Sequence, residues 1–336
     1  MAALSGPHEK KTQPLSSQYG GLAAEGWVGR LPQSWIPYVQ LARLDPPAAL
    51  FLIYLPHLFG LLHAAKLFHL PTLDVLRVGG LLLGGSLFFS NAAHVWNDIV
   101  DAPIDRQVER TKGRPIARGA VSITAALLFT GSQALGAGAF LLLLPEPATA
   151  AAAAVPTIVG TAYYPWAKRH THFPQLVLGL CLSWGIMVGG AAGGVEEPHR
   201  SPALWCLVGG ATAWTMIYDT IYASQDLADD VRIGVKSMAV LLREKTSAVL
   251  WGLLAAMGVL LSYYGFLTGA GLGYAVITVG GCMLSLGTMV AKVQLKNQAS
   301  CWWWFSVGFW YTGASIALGM LWEWAIAPLL PSLVPS

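Results

Sequence analysis

Nine long apolar runs, separated by short polar segments, form the main pattern of this chain. The runs lie at residues 47–66, 76–96, 121–144, 147–165, 174–194, 203–222, 247–267, 270–292 and 302–325. Each has close to the roughly 20 residues that a helix needs to cross about 30 Å of hydrocarbon. We therefore predict an all-α, polytopic membrane protein, a bundle of nine transmembrane helices. The bundle occupies residues 35–328, after a flexible cytosolic N-terminal arm (1–34) and before a short C-terminal tail (329–336).

The composition agrees with this interpretation. Hydrophobic residues make up 55% of the chain and charged residues 11%, and the mean hydropathy is +0.55. Soluble domains carry roughly 25% charged residues. The lipid bilayer is therefore the expected surrounding of most of the chain, and we expect no nucleic-acid partner.

Lysine and arginine set the expected orientation. Most of them lie in the N-terminal segment and in the polar segments after the second, fourth, sixth and eighth runs, whereas the opposite side has only Lys66, Arg77 and Arg200. The positive-inside rule makes the first side cytosolic. The first forty residues include Glu9 and Glu25 and lack an apolar h-region, unlike a signal peptide or a mitochondrial presequence. We expect an endomembrane, such as the endoplasmic reticulum.

Carboxylates are concentrated in two short windows on the predicted cytosolic side. The chain has 17 Asp and Glu in total, and eight of them fall in these windows. They are Asp98, Asp101, Asp105 and Glu109 after the second run, and Asp219, Asp226, Asp229 and Asp230 at the end of the sixth. Ionisable groups at membrane depth are costly and point to function. The alternative is a solvated loop with structural ion pairs.

The spacing of these residues predicts two polar helix faces. Asn97, Asp101 and Asp105 follow an i, i+4, i+8 pattern, with Asp98 at the edge of that face. Pro103 lies within this stretch and removes a helical hydrogen bond. In the second window, the positions that share a face are Asp219, Tyr222, Asp226 and Asp230, with Asp229 beside them. Both faces end at the same membrane edge, where they can converge.

Oxygen ligands without a cluster of His or Cys favour a hard metal such as Mg²⁺. Mg²⁺ binds typically through one or two carboxylates together with substrate phosphates, so a diphosphate is the expected substrate. Arg110, Lys112 and Arg114 follow the first window, and Tyr164 and Lys168 end the fourth run. These residue types bind phosphate, although cytosolic flanks also carry Lys and Arg for topology alone.

At these positions the chain resembles the UbiA family of intramembrane aromatic prenyltransferases. The first family motif, Asn-Asp-x-x-Asp-x-x-x-Asp, is complete at Asn97, Asp98, Asp101 and Asp105. The second, Asp-x-x-Tyr-Ala-x-x-Asp-x-x-Asp-Asp, is complete from Asp219 to Asp230, and Tyr164 and Lys168 match a Tyr-x-x-x-Lys element. The resemblance covers roughly residues 35–325.

One departure from the family pattern concerns the start of the first span. Family members often have Arg-x-x-Lys-Pro-Ile-Gly there, whereas this chain has Arg43-Leu44-Asp45-Pro46-Pro47. Arg43 is kept, but the lysine and glycine are not. The chain is more similar to fungal members that prenylate aromatic polyketides in meroterpenoid biosynthesis than to the ubiquinone enzymes.

The resemblance implies a mechanism and a set of roles. One Mg²⁺ is held by Asp101 and Asp105 with Asn97 and Asp98, and another by Asp226 and Asp230 with Asp219 or Asp229. The residues that bind a prenyl diphosphate, with farnesyl expected, are Arg43, Asn97, Arg110, Lys112, Arg114, Tyr164 and Lys168. The implied catalytic residues are Asp101, Asp105, Asp226, Asp230 and Lys168. The diphosphate leaves, the allylic cation attacks a phenolic ring, and the apolar bundle excludes water. Aromatic candidates for cation–π stabilisation are Tyr163, Trp184, Trp214 and Tyr218.

Two other functions remain open at this stage. The same fold and metals serve a membrane terpene cyclase, which closes the cation on its own chain and needs no acceptor. A cation transporter also places carboxylates in a membrane, but usually near the midplane rather than at one edge.

Overall fold

A computed structural model describes the backbone of residues 26–332, with side chains through Leu329. Over these residues the fold is all-helical, without a β-strand. The predicted arm and tail therefore lie outside the described residues in large part, at positions 1–25 and 333–336.

Fourteen α-helices make up the described part of the chain. They are α1 (Ile36–Leu41), α2 (Ala48–Phe68), α3 (Thr72–Asp105), α4 (Ile123–Leu142), α5 (Pro147–His170), α6 (Pro174–Ser183), α7 (Gly185–Ala192), α8 (Pro202–Ala223), α9 (Leu227–Ile233), α10 (Met238–Leu242), α11 (Thr246–Leu267), α12 (Leu272–Tyr274), α13 (Gly281–Lys292) and α14 (Gln298–Leu321). A π-helical segment, Ala275–Gly280, joins α12 to α13, and another, Trp322–Ile326, follows α14.

Among residues 26–332, six helical segments are long and apolar enough to cross a membrane, as expected for an integral membrane protein. They are Ala48–Phe68, Thr72–Asp105, Ile123–Leu142, Pro174–Ala192, Met238–Leu267 and Leu272–Lys292. The other three predicted runs coincide with α5, α8 and α14, which have 24, 22 and 24 residues. These three have the necessary length but contain more Ala, Thr, Gly, Trp and Tyr, so their hydropathy is lower.

Close backbone contact fixes α2 against α7. A Cβ added at Gly60 would lie 2.0 Å from the carbonyl oxygen of Ile186, and one at Gly189 would lie 1.9 Å from that of His57. Only glycine allows two membrane helices to approach this closely. Elsewhere α3 packs on α2 and α4, α8 packs on α6 and α11, and α14 lies against α2, α8 and α13.

The segment after α3 is folded onto the end of the bundle where α3 ends. Ile116 and Val121 are buried in a small apolar cluster with Leu41 of α1, Val95 and Ala102 of α3, and Ala126 of α4. This packing holds α1 and residues 106–122 against the end of α3 and so positions the arginines that these segments carry.

The two acidic windows fold differently. Helix α3 continues through Pro103 to Asp105, so Asn97, Asp101 and Asp105 do share one face. The prediction that Asp219, Tyr222, Asp226 and Asp230 share one face of a single helix is wrong. Helix α8 ends at Ala223, a 3-10 turn spans Ser224–Asp226, and α9 begins at Leu227. A 3-10 turn has 3.0 residues per turn rather than 3.6, which changes the direction of Asp226 and Asp230.

Candidate functional site

A cavity of about 220 Å³ lies where the ends of α3, α5 and α8 meet α6 and α9. Side chains from both acidic windows line it: Asn97, Asp101 and Asp105 from α3, and Asp219, Asp226 and Asp230 from the second window. The structure thus brings the two windows to one cavity although more than 100 residues separate them in sequence. Six of the eight predicted metal ligands lie on its wall.

Arg114 is hydrogen bonded to two carboxylates of the first acidic window. Its Nη1 donates to Asp98 Oδ1 at 3.2 Å and to both Asp105 oxygens at 3.1 Å. Arg43 Nη2 donates to the same Asp98 oxygen at 2.7 Å. Burial would lower the pKa of the Arg114 guanidinium, but Asp105 and Asp98 raise it well above its usual range. Arg114 therefore stays charged beside these carboxylates.

Arg110 is hydrogen bonded to a carboxylate of the second acidic window. Its Nη2 donates to Asp226 Oδ2 at 2.6 Å, its Nε to Asp226 Oδ1 at 2.9 Å, and its Nη1 to the Tyr222 hydroxyl at 2.5 Å. Its guanidinium carbon also lies 4.6 Å from the centre of the Tyr222 ring. Two parallel bonds to one carboxylate fix a geometry that a lysine cannot reproduce.

Lys168 pairs with Asp101, a further carboxylate of the site. Its Nζ donates to Asp101 Oδ2 at 2.5 Å, and its backbone carbonyl accepts a hydrogen bond from Lys236 N at 2.9 Å. Tyr164, one turn earlier on α5, also lines the cavity. The Tyr-x-x-x-Lys spacing therefore places both side chains on one face of α5.

Opposite charges are balanced around the cavity. Five carboxylates line it (Asp101, Asp105, Asp219, Asp226 and Asp230), as do five cationic side chains (Arg43, Arg110, Arg114, Lys168 and Lys236). Burial raises the pKa of Asp230 to about 7, and repulsion from Asp226 acts in the same direction. Lys168 and Arg110 lower the pKa of Asp230 but only partly offset its burial.

The donor set fits a hard divalent cation in combination with a phosphate ligand. In residues 26–329, no three His, Cys, Asp or Glu side chains converge closely enough to hold a metal by themselves. However, Asp101 Oδ1 and Asp98 Oδ2 are buried and have no hydrogen-bond partner within the described part of the chain. All the acidic groups are oxygen donors, and Mg²⁺ characteristically needs only one or two carboxylates when phosphates supply further ligands.

Three of the predicted site residues lie away from the cavity wall. Asp98 is buried behind Asp101 and holds the two arginines. Asp229 accepts from the backbone of Glu109 at 3.1 Å and from Arg232 at 2.8 Å. Lys112 points outward and pairs with Glu109 at 2.6 Å. Asp229 therefore fastens the segment after α3 to α9.

The structure adds residues that the sequence did not single out. Gln175 of α6 lines the cavity, is hydrogen bonded to Asp219, and accepts from the backbone of Met238 at 3.0 Å. Lys236 also lines the cavity and comes directly after the second motif. Nothing in a single sequence marks the uncharged amide of Gln175, at the start of a helix, as part of a site. Lys236 could have been identified, because it lies close to the second motif in sequence.

Aromatic side chains form the inner wall of the cavity. Tyr218, Tyr222 and Phe305 line it, and the rings of Tyr222 and Phe305 are 4.3 Å apart between centroids. Trp214 packs behind Tyr218, with the centroids 5.7 Å apart. Tyr163 and Trp184, which the sequence also proposed, do not line the cavity. Trp184 instead donates to the Ala153 carbonyl at 2.8 Å.

A second, apolar cavity of about 460 Å³ continues from the first. Phe89, Ala93 and Thr161 line both cavities. The second one runs between α3, α4 and α5, and its walls are mostly Ala, Gly, Leu and Phe. We call it the apolar groove. A charged head and an apolar tail can therefore be bound as one continuous ligand.

Comparison with known proteins gives consistent matches over most of the chain. The model of the UbiA prenyltransferase family matches residues 46–326. Prenyltransferase stbC of Stachybotrys bisbyi is 35% identical over 82% of this chain and 85% of its own length. The mitochondrial 4-hydroxybenzoate polyprenyltransferase of Saccharomyces cerevisiae is 34% identical, over 90% of this chain and 78% of its own. UbiA prenyltransferase claS of Ampulloclitocybe clavipes is 36% identical, over 87% and 92%.

Solved structures share the fold. A UbiA homologue from Aeropyrum pernix K1 superposes with a TM-score of 0.64 at 22% identity, covering 81% of this chain and 96% of its own. A UbiA homologue from Archaeoglobus fulgidus bound to GPP and Mg²⁺ gives a TM-score of 0.60 at 17% identity, covering 84% and 99%. The helical arrangement described above is thus that of these proteins.

Proposed function

Because the chain belongs to the UbiA prenyltransferase family and is therefore a prenyltransferase, we propose that it transfers a prenyl group from a prenyl diphosphate to a ring carbon of a phenolic acceptor, in a Mg²⁺-dependent reaction. The observation that carries this proposal is the continuity of the two cavities. One end has five carboxylates and five cationic groups, and the other is an apolar groove in the membrane region.

The proposed metal ligands are the carboxylates and the amide on the cavity wall. Asn97, Asp101 and Asp105 form one group, and Asp219, Asp226 and Asp230 form the other. Bound Mg²⁺ supplies positive charge that stabilises the departing diphosphate. Asp98 and Asp229, which the sequence also offered as ligands, are given a positioning role because they hold Arg43, Arg114 and the segment after α3.

The cationic side chains are proposed to bind the diphosphate. Arg110, Arg114 and Lys168 donate to carboxylates of the cavity wall at 2.5 to 3.1 Å. Arg43 also lines the cavity and donates to the buried Asp98 at 2.7 Å. Tyr164 adds a hydroxyl on the same wall, and Lys236 a further positive charge. Lys112 lies outside this set, because it is exposed and paired with Glu109.

The chemistry is an electrophilic aromatic substitution. The bond between the allylic carbon and the diphosphate oxygen breaks, and that oxygen keeps the electron pair. The rings of Tyr218, Tyr222 and Phe305 line the cavity. We propose that they stabilise the positive charge that then develops, by cation–π contact. A carbon of the phenolic ring forms the new bond, and its proton then passes to a basic oxygen of the released diphosphate, which restores the aromatic ring. Apolar walls around this point exclude water, which would otherwise capture the cation.

The finer assignments rest on the sequence relationships. We propose farnesyl as the prenyl group and an aromatic polyketide or related phenolic acid as acceptor, in meroterpenoid biosynthesis. Support comes from fungal relatives named prenyltransferases and from a relative named for 4-hydroxybenzoate. We also propose that α5, α8 and α14 cross the membrane with the six more apolar segments, giving nine spans. The site then faces the cytosol, at an endomembrane.

Product analysis tests this function directly. Membranes that contain the protein are incubated with Mg²⁺ and farnesyl diphosphate, with and without 4-hydroxybenzoic or orsellinic acid, and the products are identified by mass spectrometry. The expected product is a prenylated phenol that disappears when the metal is chelated. A terpene hydrocarbon formed without acceptor would instead identify a cyclase. Absence of diphosphate release in every condition would overturn the enzymatic proposal and leave cation transport.

A further inference from the structure

Gln175 is a buried amide on the wall of the cavity that contains the carboxylates. Helix α6 begins at Pro174, because proline fits the first position of a helix, where its missing N–H has no intrahelical partner to lose. Gln175 follows at the second position, is 2% exposed, and lines the cavity. A buried amide has donors and an acceptor to satisfy, and leaving them unpaired is costly. The partners of Gln175 therefore indicate its role.

The backbone of Met238 fixes the orientation of this amide. Gln175 Oε1 accepts a hydrogen bond from Met238 N at 3.0 Å. A backbone N–H only donates, so the oxygen of the amide faces Met238 and Nε2 is the other branch. Nε2 is the donor to Asp219, because an ionised carboxylate only accepts. One side chain thus links Asp219 of α8 to the first residue of α10.

The elements on both sides of Gln175 are themselves held in place. Thr220 Oγ1 of α8 donates to the sulfur atom of Met238 at 3.7 Å, so α8 also contacts the start of α10. Helices α6 and α8 approach closely, since a Cβ added at Gly179 would lie 3.0 Å from the carbonyl oxygen of Thr212. The amide of Gln175 therefore lies between a fixed N–H and a fixed carboxylate.

Asp219 differs from the carboxylates that pair with cations. Asp101, Asp105 and Asp226 each form an ion pair with a lysine or an arginine, at 2.5 to 3.1 Å. Among the described side chains, none forms an ion pair with Asp219, whose partner is the Gln175 amide. A neutral donor stabilises an ionised carboxylate without cancelling its charge. The amide thus gives Asp219 a defined direction and leaves its charge outside any ion pair.

Resting on the proposed function, we propose that Gln175 is a positioning residue that holds Asp219 in the direction needed to bind Mg²⁺ together with the diphosphate. Hydrogen-bonded neighbours of metal-binding carboxylates commonly orient the ligand, and their loss typically lowers metal affinity or activity about 10- to 100-fold. Through Met238, the same amide ties Asp219 to the segment that carries Lys236 on the cavity wall. Gln175 acts through Asp219 rather than on the reacting atoms.

Two substitutions separate the two hydrogen bonds of Gln175. Gln175→Met keeps the length of the side chain and removes both bonds. Gln175→Glu keeps an oxygen for Met238 N but places a second carboxylate against Asp219, where the two repel each other. If Gln175 only attached Met238, Gln175→Glu would bind Mg²⁺ as the wild type does. Positioning of Asp219 predicts instead that both variants are impaired.

The readout is the Mg²⁺-dependent rise in unfolding temperature of the purified full-length protein. The protein is held in detergent with farnesyl diphosphate and without an acceptor, so the measurement needs no turnover. For both variants we expect the Mg²⁺ concentration at half of the maximal rise to increase about tenfold. Excess Mg²⁺ should restore much of the transfer rate when a phenolic acid is added, since the proposed metal ligands are all retained.

A double-mutant cycle tests whether Gln175 acts through Asp219. Asp219→Asn alone should raise the Mg²⁺ requirement, because a proposed ligand loses its charge. In the Asp219→Asn background, Gln175→Met should add no further increase, since no carboxylate is left for the amide to position. Independent effects of the two substitutions would multiply instead.

The control and the contradicting results are distinct. Gln294→Met makes the same substitution at an exposed position away from the cavity wall and should leave the Mg²⁺ requirement as in the wild type. A wild-type Mg²⁺ requirement in Gln175→Glu, or a further tenfold increase from Gln175→Met in the Asp219→Asn background, would overturn the positioning role. Absence of prenyl transfer by the wild-type protein would overturn the proposed function instead.

Discussion

Lys168→Met offers the most direct test of how charge is used in the proposed site. Lys168 Nζ lies 2.5 Å from Asp101 Oδ2, and the lysine side chain is about one quarter exposed. A sphere with the cavity's volume of 220 Å³ has a radius of about 4 Å. A charge that develops near its centre is thus about that far from the cationic wall.

The magnitude follows from Coulomb's law. Two unit charges about 4 Å apart interact by about 4 kcal/mol at an effective dielectric constant of about 20. Loss of this stabilisation in the transition state alone would reduce kcat by roughly 10³-fold, since each 1.36 kcal/mol is a factor of ten. Neighbouring arginines compensate in part, so we expect a loss of roughly 10²- to 10³-fold, in the range seen when one preorganised donor is removed.

The assay is initial-rate formation of prenylated phenol at saturating substrates. Lys296→Met is the matched control, because Lys296 is exposed and pairs only with the exposed Glu244. Thermal unfolding in detergent checks that Asp101, now without its cation, has not unfolded the protein. A folded Lys168→Met protein with more than about a tenth of wild-type kcat would refute the reasoning. Recovery of kcat by excess Mg²⁺ would indicate that Lys168 only positions Asp101.

Three further predictions follow from the same geometry. Asp101→Asn and Asp226→Asn should each lower kcat by about 10²-fold or more. Asp229 lies away from the cavity wall, so the kcat of Asp229→Asn should stay within a few-fold of the wild-type value. Equal losses of kcat in all three variants would contradict this division of roles. Ca²⁺ should support less turnover than Mg²⁺ because its coordination is larger and looser, and equal rates would count against an octahedral Mg²⁺ site. Gly189→Ala should lower the unfolding temperature in detergent, because its Cβ would lie 1.9 Å from the His57 carbonyl oxygen and overpacking costs about 1–3 kcal/mol.

The sequence was most informative where function depends on local periodicity. The i, i+4, i+8 spacing of Asn97, Asp101 and Asp105 correctly predicted a shared face, and α3 continues through Pro103. The long apolar runs correctly predicted an all-helical membrane protein. At the second window the helical periodicity gave a wrong prediction, because no local sequence feature indicates the 3-10 turn before α9.

The sequence did not predict which residues of distant segments pair with one another. The bidentate pair of Arg110 with Asp226 spans 116 residues. The hydrogen bond from Arg43 to Asp98 spans 55. Residue type alone made Lys112 as good a candidate as Arg114, yet only Arg114 faces the cavity. Burial of Ile116 and Val121 turns one arginine inward, and this depends on packing against α1 and α4.

The balance of five carboxylates against five cationic groups on the cavity wall has a consequence for the order of binding. Mg²⁺ arriving alone would take a carboxylate from its arginine or lysine and leave that cation uncompensated in a poorly solvated site. A diphosphate arriving alone would pair with an arginine or lysine and leave the carboxylate partner of that residue without a compensating charge. When both enter as one complex, each displaced group gains a new partner at once, and the site passes from one nearly neutral assembly to another. Metal and substrate should accordingly bind as a pair, each raising the affinity for the other.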